Sequence, residues 1–239
     1  MGFNLIDLAI IGVIAVFALI GWYRGFLSSL IHSLSVFGAF FVTKIGYRQL
    51  ASWLVNKWDA LNFALQFTDA GEKMSDIELA RTVVSTAGDG AVSRALEICR
   101  YPNFINRLIE KNINNLAFSD IGLATMEQYF NQTLAIAVIH VVCYVALFVA
   151  AFIVLELLIS MLMALWHPPI LRQFDSLAGS AVGLLSGLLI VRVLFMLVPT
   201  ALALMGIEQI EAWFTEAAIA SKFFKSSFLL RGIKGTLIR

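Results

Sequence analysis

Two sets of polar residues inside apolar stretches could do chemistry in this sequence. Ser28, His32 and Ser35 follow the i, i+4, i+7 spacing of one helical face. Glu156 stands alone, two-thirds of the way along another apolar run. Histidine and glutamate side chains can exchange protons or bind cations, so these four residues are candidates for an ion or proton site.

Each set also has a structural interpretation. The serine-bearing face, with Ser29 and Ser33 beside it, could turn toward neighbouring helices and bond their backbone, and we favour this interpretation. Glu156 could be a satisfied or protonated interior acid, or a functional one. The sequence shows no proton relay beside this carboxylate, so both interpretations of it stay open.

The composition defines the class of protein that must position these residues. Sixty per cent of the residues are hydrophobic and 14% are charged, whereas a soluble domain has about 25% charged residues. The chain is therefore an integral membrane protein. Its net charge of +1 gives no argument for nucleic acid. Cys99 and Cys143 lie in unlike contexts, so we expect no disulfide framework, no metal site and no cofactor.

Four apolar segments are long enough to cross a bilayer, which takes about 20 residues of helix. They cover 5–23, 26–45, 134–166 and 176–206. The first two are separated by a link so short that they must form a tight antiparallel hairpin. We predict an all-α integral membrane protein with four transmembrane helices arranged as two hairpins.

The whole chain divides into four predicted regions. They are a first hairpin at 1–50, an amphipathic helical insertion at 51–132, a second hairpin at 133–206 and an interfacial tail at 207–239. Within the insertion, Ser75 and Glu78 fit a capping box that opens a helix at Asp76, and Gly88–Gly90 would end it. Ser119 is expected to cap a helix that runs on into the membrane. Aromatic and basic residues alternate in the tail, which is typical of interfacial helices.

The fourth segment carries a ladder of small residues. Gly179, Gly183 and Gly187 recur every fourth position, with Ser176 and Ser180 on or beside the same helical face. In a bilayer such a face forms a groove that another helix backbone can approach closely. We therefore assign these five residues to helix packing.

Glu156 and Arg192 are an acid and a base within apolar segments and could form an ion pair, but their predicted depths in the membrane argue against it. If the second hairpin turns near Ile170, Glu156 and Arg192 differ in depth by about 12 Å at 1.5 Å per residue. We expect Arg192 to lie near the opposite membrane surface, where a long basic side chain can reach water.

Several short stretches together resemble the colicin V production (CvpA) family. They are Asp7 leading the first helix, the hairpin Arg24-Gly25-Phe26, and Asp175 leading into the glycine ladder. The resemblance covers about 4–50 and 172–228, and the middle insertion looks like that of longer members. It implies a four-helix bacterial inner-membrane protein linked to toxin production or export and to envelope physiology.

Three classes of function follow from these observations. We favour a non-enzymatic membrane protein that supports colicin V-like toxin production or export and envelope homeostasis. The alternative is a small oligomeric channel or transporter that uses the Ser28–His32–Ser35 face or Glu156. An enzyme is disfavoured because motifs such as Gly-x-Ser-x-Gly and His-Glu-x-x-His do not occur.

The expected partners are the lipid bilayer and either other membrane proteins or further copies of the chain. Lys44 and Arg48 lie at or just beyond the end of the second apolar segment, and basic residues near helix ends favour the cytoplasmic side. This gives a slight preference for cytoplasmic termini.

Overall fold

The structure is a computed structural model that describes residues 4–101, 103–165, 175–205 and 219. Within these ranges the chain is helical, and one isolated bridge joins Val83 to Thr125. This confirms the predicted all-α class. The described helices are α1 (Leu5–Arg24), α2 (Phe26–Trp58), α3 (Ala60–Leu65), α4 (Ala70–Met74), α5 (Ile77–Arg81), α6 (Asp89–Cys99), α7 (Asn103–Asn114), α8 (Met126–Leu165) and α9 (Asp175–Met205), with short 3-10 turns at Val84–Thr86 and Ser119–Ile121.

Four of these helices are long and apolar enough to cross a membrane, as predicted. The candidate spans are Leu5–Arg24, Phe26–Trp58, Met126–Met163 and Asp175–Phe195. With 33 and 40 residues, α2 and α8 are about 50 and 60 Å long, well beyond a hydrocarbon core of about 30 Å. α2 continues past its predicted end at 45, and α8 begins before its predicted start at 134. No proline interrupts either helix.

The start of α8 differs from the expected one. Ser119 opens only a 3-10 turn, which ends at Gly122 with φ of 79°. The long helix begins after Thr125, where the backbone N–H groups of Ala124 and Thr125 donate to Gln128 Oε1 at 2.9 and 3.1 Å. Gln128 N–H donates back to Thr125 Oγ1 at 3.4 Å. This reciprocal capping box is written in the sequence as Thr-x-x-Gln.

The predicted capping box at Ser75 is also displaced by one residue. Asp76 is the N-cap of α5, since its Oδ1 accepts from the N–H groups of Glu78 and Leu79, both at 3.1 Å. Ser75 instead ends α4 in a left-handed conformation. α5 stops at Arg81, one turn after it begins, and does not reach the glycines at 88–90.

The described chain forms two compact units. The first comprises the described residues of 1–47, 143–198 and 207–227, and it holds α1, most of α9 and the adjoining parts of α2 and α8. The second comprises 48–142 and the described residues of 199–206. Of the predicted tail at 207–239, only Ile219 lies within the described residues.

The second unit has its own apolar core. Buried side chains from α4 to the start of α8 form one cluster, which includes Met74, Ile109, Phe118, Met126 and Phe130. Burial raises the pKa of the Cys99 thiol in this core to about 11, with Lys73 acting in the opposite direction. Cys99 is therefore a core residue rather than a reactive thiol.

In the first unit, α1 and α9 run antiparallel at very close range. A Cβ on Gly183 would come within 3.3 Å of Ala18 Cα, and one on Gly187 within 3.2 Å of Ile14 Cα. A Cβ on Gly179 would come within 2.7 Å of the Gly25 carbonyl carbon. The structure thus places the glycine ladder against the backbone of α1.

The two remaining residues of that face are less closely engaged. Ser176 and Ser180 are half-buried. The more deeply buried serine of α9 is Ser186, one helical turn beyond Val182, whose carbonyl accepts its hydroxyl at 3.1 Å.

α2 and α8 also pack antiparallel within this unit. A Cβ on Gly38 would meet Leu155 Cδ1 at 2.9 Å, and a Cβ on Gly46 would meet Leu147 Cδ2 at 3.1 Å. Further along, the Tyr47 and Tyr144 rings meet edge to face with centroids 5.6 Å apart, within this same α2–α8 seam. The first unit therefore contains two antiparallel helix pairs, α1 with α9 and α2 with α8.

Candidate functional site

The turn between α1 and α2 is fixed by an aspartate from α9. Phe26 N–H, at the first position of α2, donates to Asp175 Oδ1 at 2.6 Å. Gly25 has φ of 77° and ψ of 171°, a conformation that is essentially restricted to glycine. A Cβ there would lie 2.8 Å from Asp175 Cγ. Three of the motif positions that carry the family resemblance, Gly25, Phe26 and Asp175, thus meet at one point.

A second aspartate lies toward the other end of α1. Asp7 is fully buried, and its Oδ1 accepts from Ile219 N–H at 3.0 Å. Ile219 also packs against a small apolar cluster formed by Ile10, Val191 and Phe195. Asp7 therefore acts as an acceptor for the backbone N–H of Ile219.

The central feature of the first unit is a contact between His32 on α2 and Glu156 on α8. His32 Nδ1 lies 2.5 Å from Glu156 Oε1, and Ser35 Oγ donates to Glu156 Oε2 at 2.7 Å. Either tautomer or protonation state of the two groups that leaves one proton between Nδ1 and Oε1 makes this contact a hydrogen bond. Both oxygens of the Glu156 carboxyl group therefore have a partner.

This pair lines a cavity of about 170 Å³, and the two side chains are 17% and 28% exposed. A cavity of this size has room for several water molecules. Arg24, at the end of α1, is another lining residue and is itself exposed. The other lining residues are Phe17, Ile20, Gly21, Ser29, Ser33, Val36, Phe152, Gly183 and Ser186.

Hydroxyl groups form much of the polar wall of the cavity. Ser29 Oγ donates to the Gly21 carbonyl at 3.2 Å across the hairpin turn. Ser33 Oγ lies 2.8 Å from Ser186 Oγ. Since Ser186 gives its proton to a carbonyl of its own helix, Ser33 is the donor in that pair. Each of these hydroxyl groups donates to a protein acceptor, and a hydroxyl oxygen has a second lone pair that can accept a hydrogen bond from water.

The His32–Glu156 pair lies well away from the hairpin turn. Ser35, which shares the carboxylate, is nine residues beyond Phe26, or about 14 Å along α2. If the hairpin turn lies at one membrane surface, this depth is close to the middle of a hydrocarbon core about 30 Å thick. An ionisable pair at that depth is costly unless its partners satisfy it, as His32 and Ser35 do here.

The structure brings together three of the four candidate ion-site residues, Glu156, His32 and Ser35. Ser28 is half-buried, and among the described residues the cavity wall is formed by Ser29 and Ser33 instead. The sequence did place those two serines beside the face. The spacing Ser29, His32, Ser33, Val36 would have indicated the cavity-lining side of α2.

From the sequence we expected no ion pair between Glu156 and Arg192 and no metal site. Arg192 is exposed on α9, while Glu156 is engaged by His32 and Ser35. Within the described residues, no group of three or more His, Cys, Asp or Glu side chains converges in a way that could hold a metal ion. The site is therefore a two-residue acid–base pair with hydroxyl neighbours.

The fold and this site define an integral membrane protein with a polar cavity inside a four-helix unit. The family model described as Colicin V production protein matches residues 6–85 and 117–228. The chain therefore belongs to the colicin V production protein family, as the resemblance predicted, and is a longer member with residues 86–116 outside the match. This family is not a known enzyme family. No curated protein and no solved structure matches the chain.

Proposed function

We propose that this chain is a non-enzymatic protein of the bacterial inner membrane that moves protons through the His32–Glu156 pair. In doing so it supports colicin V-like toxin production or export and envelope homeostasis. The family membership supports the biological role. The observation that carries the proton-linked mechanism is the 2.5 Å contact between His32 Nδ1 and Glu156 Oε1 at the wall of a cavity.

The pair has the chemistry that proton exchange requires. Imidazole titrates near physiological pH in its ordinary state, and its two nitrogens can bind and release protons separately. A proton that arrives from the cavity neutralises the carboxylate and removes its attraction to the imidazole. Loss of the proton restores that attraction, so each cycle alternates between a closed and a loosened contact between α2 and α8.

The charges around the pair favour a proton over a larger cation. Arg24 from α1 lines the same cavity, α2 contributes His32, and α9 contributes the neutral groups Ser186 and Gly183. A metal cation would meet one carboxylate and one fixed positive charge, which is a poor ligand set. A proton needs only an acid, a base and hydroxyls that orient water.

The test is proton flux through the full-length chain in liposomes that contain a pH-sensitive dye. We expect the wild type to dissipate an imposed pH gradient and Glu156→Gln to lose the flux, because the amide keeps the shape but cannot titrate. The matched control is Glu110→Gln, which removes an exposed carboxylate from α7 in the second unit. Equal flux in the wild type and Glu156→Gln would refute the proposal.

The cellular role needs a separate readout. In a strain that lacks its own copy and exports a colicin V-type toxin, the wild type should restore toxin release and Glu156→Gln should not. Partner support without proton movement is the second candidate, and the full satisfaction of Glu156 by His32 and Ser35 favours it. That alternative predicts normal toxin release with Glu156→Gln and no flux in any variant.

A further inference from the structure

Two buried hydroxyl groups, one on α2 and one on α8, have no hydrogen-bond partner among the described residues. They are Thr43 Oγ1 and the Tyr144 phenol oxygen. Thr43 is fully buried and Tyr144 is 1% exposed. A buried hydroxyl group without a partner is uncommon in native proteins and requires an explanation, which is often a bound water or ion or a functional role.

Both hydroxyl-bearing residues lie on the same side of the His32–Glu156 pair. Thr43 is eight residues beyond Ser35 on α2, and Tyr144 is twelve residues before Glu156 on α8. At 1.5 Å per residue these separations are about 12 and 18 Å. Because α2 and α8 run antiparallel, both positions lie on the side of the pair away from the Gly25 turn.

The seam between the two polar positions is apolar. Ala39 is fully buried midway between Ser35 and Thr43. On α8 the Phe148 and Phe152 rings stack with centroids 6.4 Å apart and an interplanar angle of 8°. Phe152 also lines the cavity, and no residue between Ser35 and Thr43 on α2 or between Tyr144 and Glu156 on α8 has a polar side chain. This apolar stretch is the barrier between the His32–Glu156 pair and the two hydroxyls.

Other hydroxyl groups on helices of this chain donate to a backbone carbonyl of their own helix, whereas Thr43 does not. Ser186 donates to the Val182 carbonyl at 3.1 Å, and Thr133 donates to the Tyr129 carbonyl at 2.7 Å, each four residues back. Such local bonds are the usual solution for a hydroxyl within a helix. Thr43 has the same option on α2 and does not take it, which leaves its hydroxyl available in the seam.

From these observations we propose that Thr43 and Tyr144 form a second proton-transfer position in the seam, beyond the apolar barrier from His32 and Glu156. This inference rests on the proposed proton-moving function and adds the route by which the proton leaves. A hydroxyl oxygen accepts one proton and releases its own to the next acceptor, with water as the intermediate carrier, so no atom is gained or lost. Movement of the barrier would connect the two positions.

The surroundings of the two hydroxyls are compatible with this role. The Tyr47 ring from α2 packs on Tyr144, and Cys143 is buried beside it on α8. Lys44 is exposed on α2 next to Thr43. The nearest acid along α8 toward the barrier is Glu156 itself, so a proton has a defined donor on the cavity side.

The experiment measures proton flux through full-length Thr43→Val and Tyr144→Phe variants in the same liposomes. Each change removes a hydroxyl and keeps nearly the same volume. We expect flux to fall about tenfold or more, since the loss of a proton-transfer group commonly has effects of that size or larger. Tm in detergent should stay the same or rise, because a buried polar group without a partner has been removed.

Two control variants separate a transfer role from a packing role. Thr43→Ser keeps the hydroxyl and should conduct like the wild type, and Tyr23→Phe removes an exposed hydroxyl at the end of α1 without effect. Wild-type flux in Thr43→Val and Tyr144→Phe, with Glu156→Gln inactive, would overturn this inference and leave the proposed function standing. A loss in Thr43→Val that Thr43→Ser does not restore would also overturn it. Unchanged flux in Glu156→Gln would instead refute the proposed function.

Discussion

The hairpin between α1 and α2 depends on one glycine and one aspartate. Gly25 has a backbone conformation that side chains rarely adopt, and Asp175 occupies the space where a Cβ would be. The same carboxylate accepts the N–H of Phe26. Each of the two residues therefore requires the other, which gives a physical reason for two motifs that are 150 residues apart in the chain.

This arrangement predicts a large difference in stability between alanine substitutions at two glycines of the first hairpin, Gly25 and Gly12. Gly25→Ala should destabilise the protein by about 1–3 kcal/mol from backbone strain alone, with the Asp175 clash in addition. Gly12→Ala is the matched control, because a Cβ at Gly12 meets nothing within 4 Å. Thermal unfolding in detergent measures both; equal Tm values for the two variants would contradict this account of the turn.

For the helices, the sequence predicted which segments are helical more accurately than it predicted where each helix begins and ends. α2 continues to Trp58 and α8 begins at Met126, because hydropathy marks only the part of a helix that could lie in the bilayer. The true starts are set by local hydrogen bonds, such as the Thr125–Gln128 capping box. That signal is readable in the sequence, but Ser119 offered a competing one nearby.

The close approach of α1 to α9 predicts the effect of a bulky residue in the glycine ladder. Gly183→Leu should lower the yield and Tm in detergent, since the new side chain would force the α1 backbone away near Phe17 and Ala18. Overpacking of this kind commonly costs about 1–3 kcal/mol or more. Gly12→Leu places the same side chain in open space on α1, and it should behave like the wild type. Normal yield and stability of Gly183→Leu would show that the ladder does not hold the helices together.

For the whole molecule, the protein class, the four spans and the family could be predicted from the sequence, but the contact that forms the site could not. His32 and Glu156 were each singled out as polar groups in apolar helices. Their contact joins residues 124 positions apart, and it depends on the register between α2 and α8. That register is set by contacts such as Gly38 with Leu155, and hydrophobic patterning on a single chain does not specify it.

Membrane orientation is a property of the whole chain and stays a prediction. Four crossings require both termini and the insertion at 51–132 to lie on one side, with the Arg24 turn on the other. Lys44 and Arg48 give a slight preference for cytoplasmic termini. Reporter fusions at Ala91 and at the C-terminus should therefore both report the cytoplasm. Two external signals would reverse the orientation, and signals from opposite sides would refute four crossings.

The central claim is that the carboxyl group of Glu156 binds and releases a proton in contact with His32. Infrared difference spectroscopy of the reconstituted protein tests it directly, as pH is lowered from about 8 to about 4, the range in which histidine and glutamate ordinarily titrate. We predict that the wild-type difference spectrum contains a carboxylate-to-acid band that is retained in the control variant Glu110→Gln, is altered in His32→Gln and is absent in Glu156→Gln. A wild-type spectrum that Glu156→Gln reproduces in full would contradict the account.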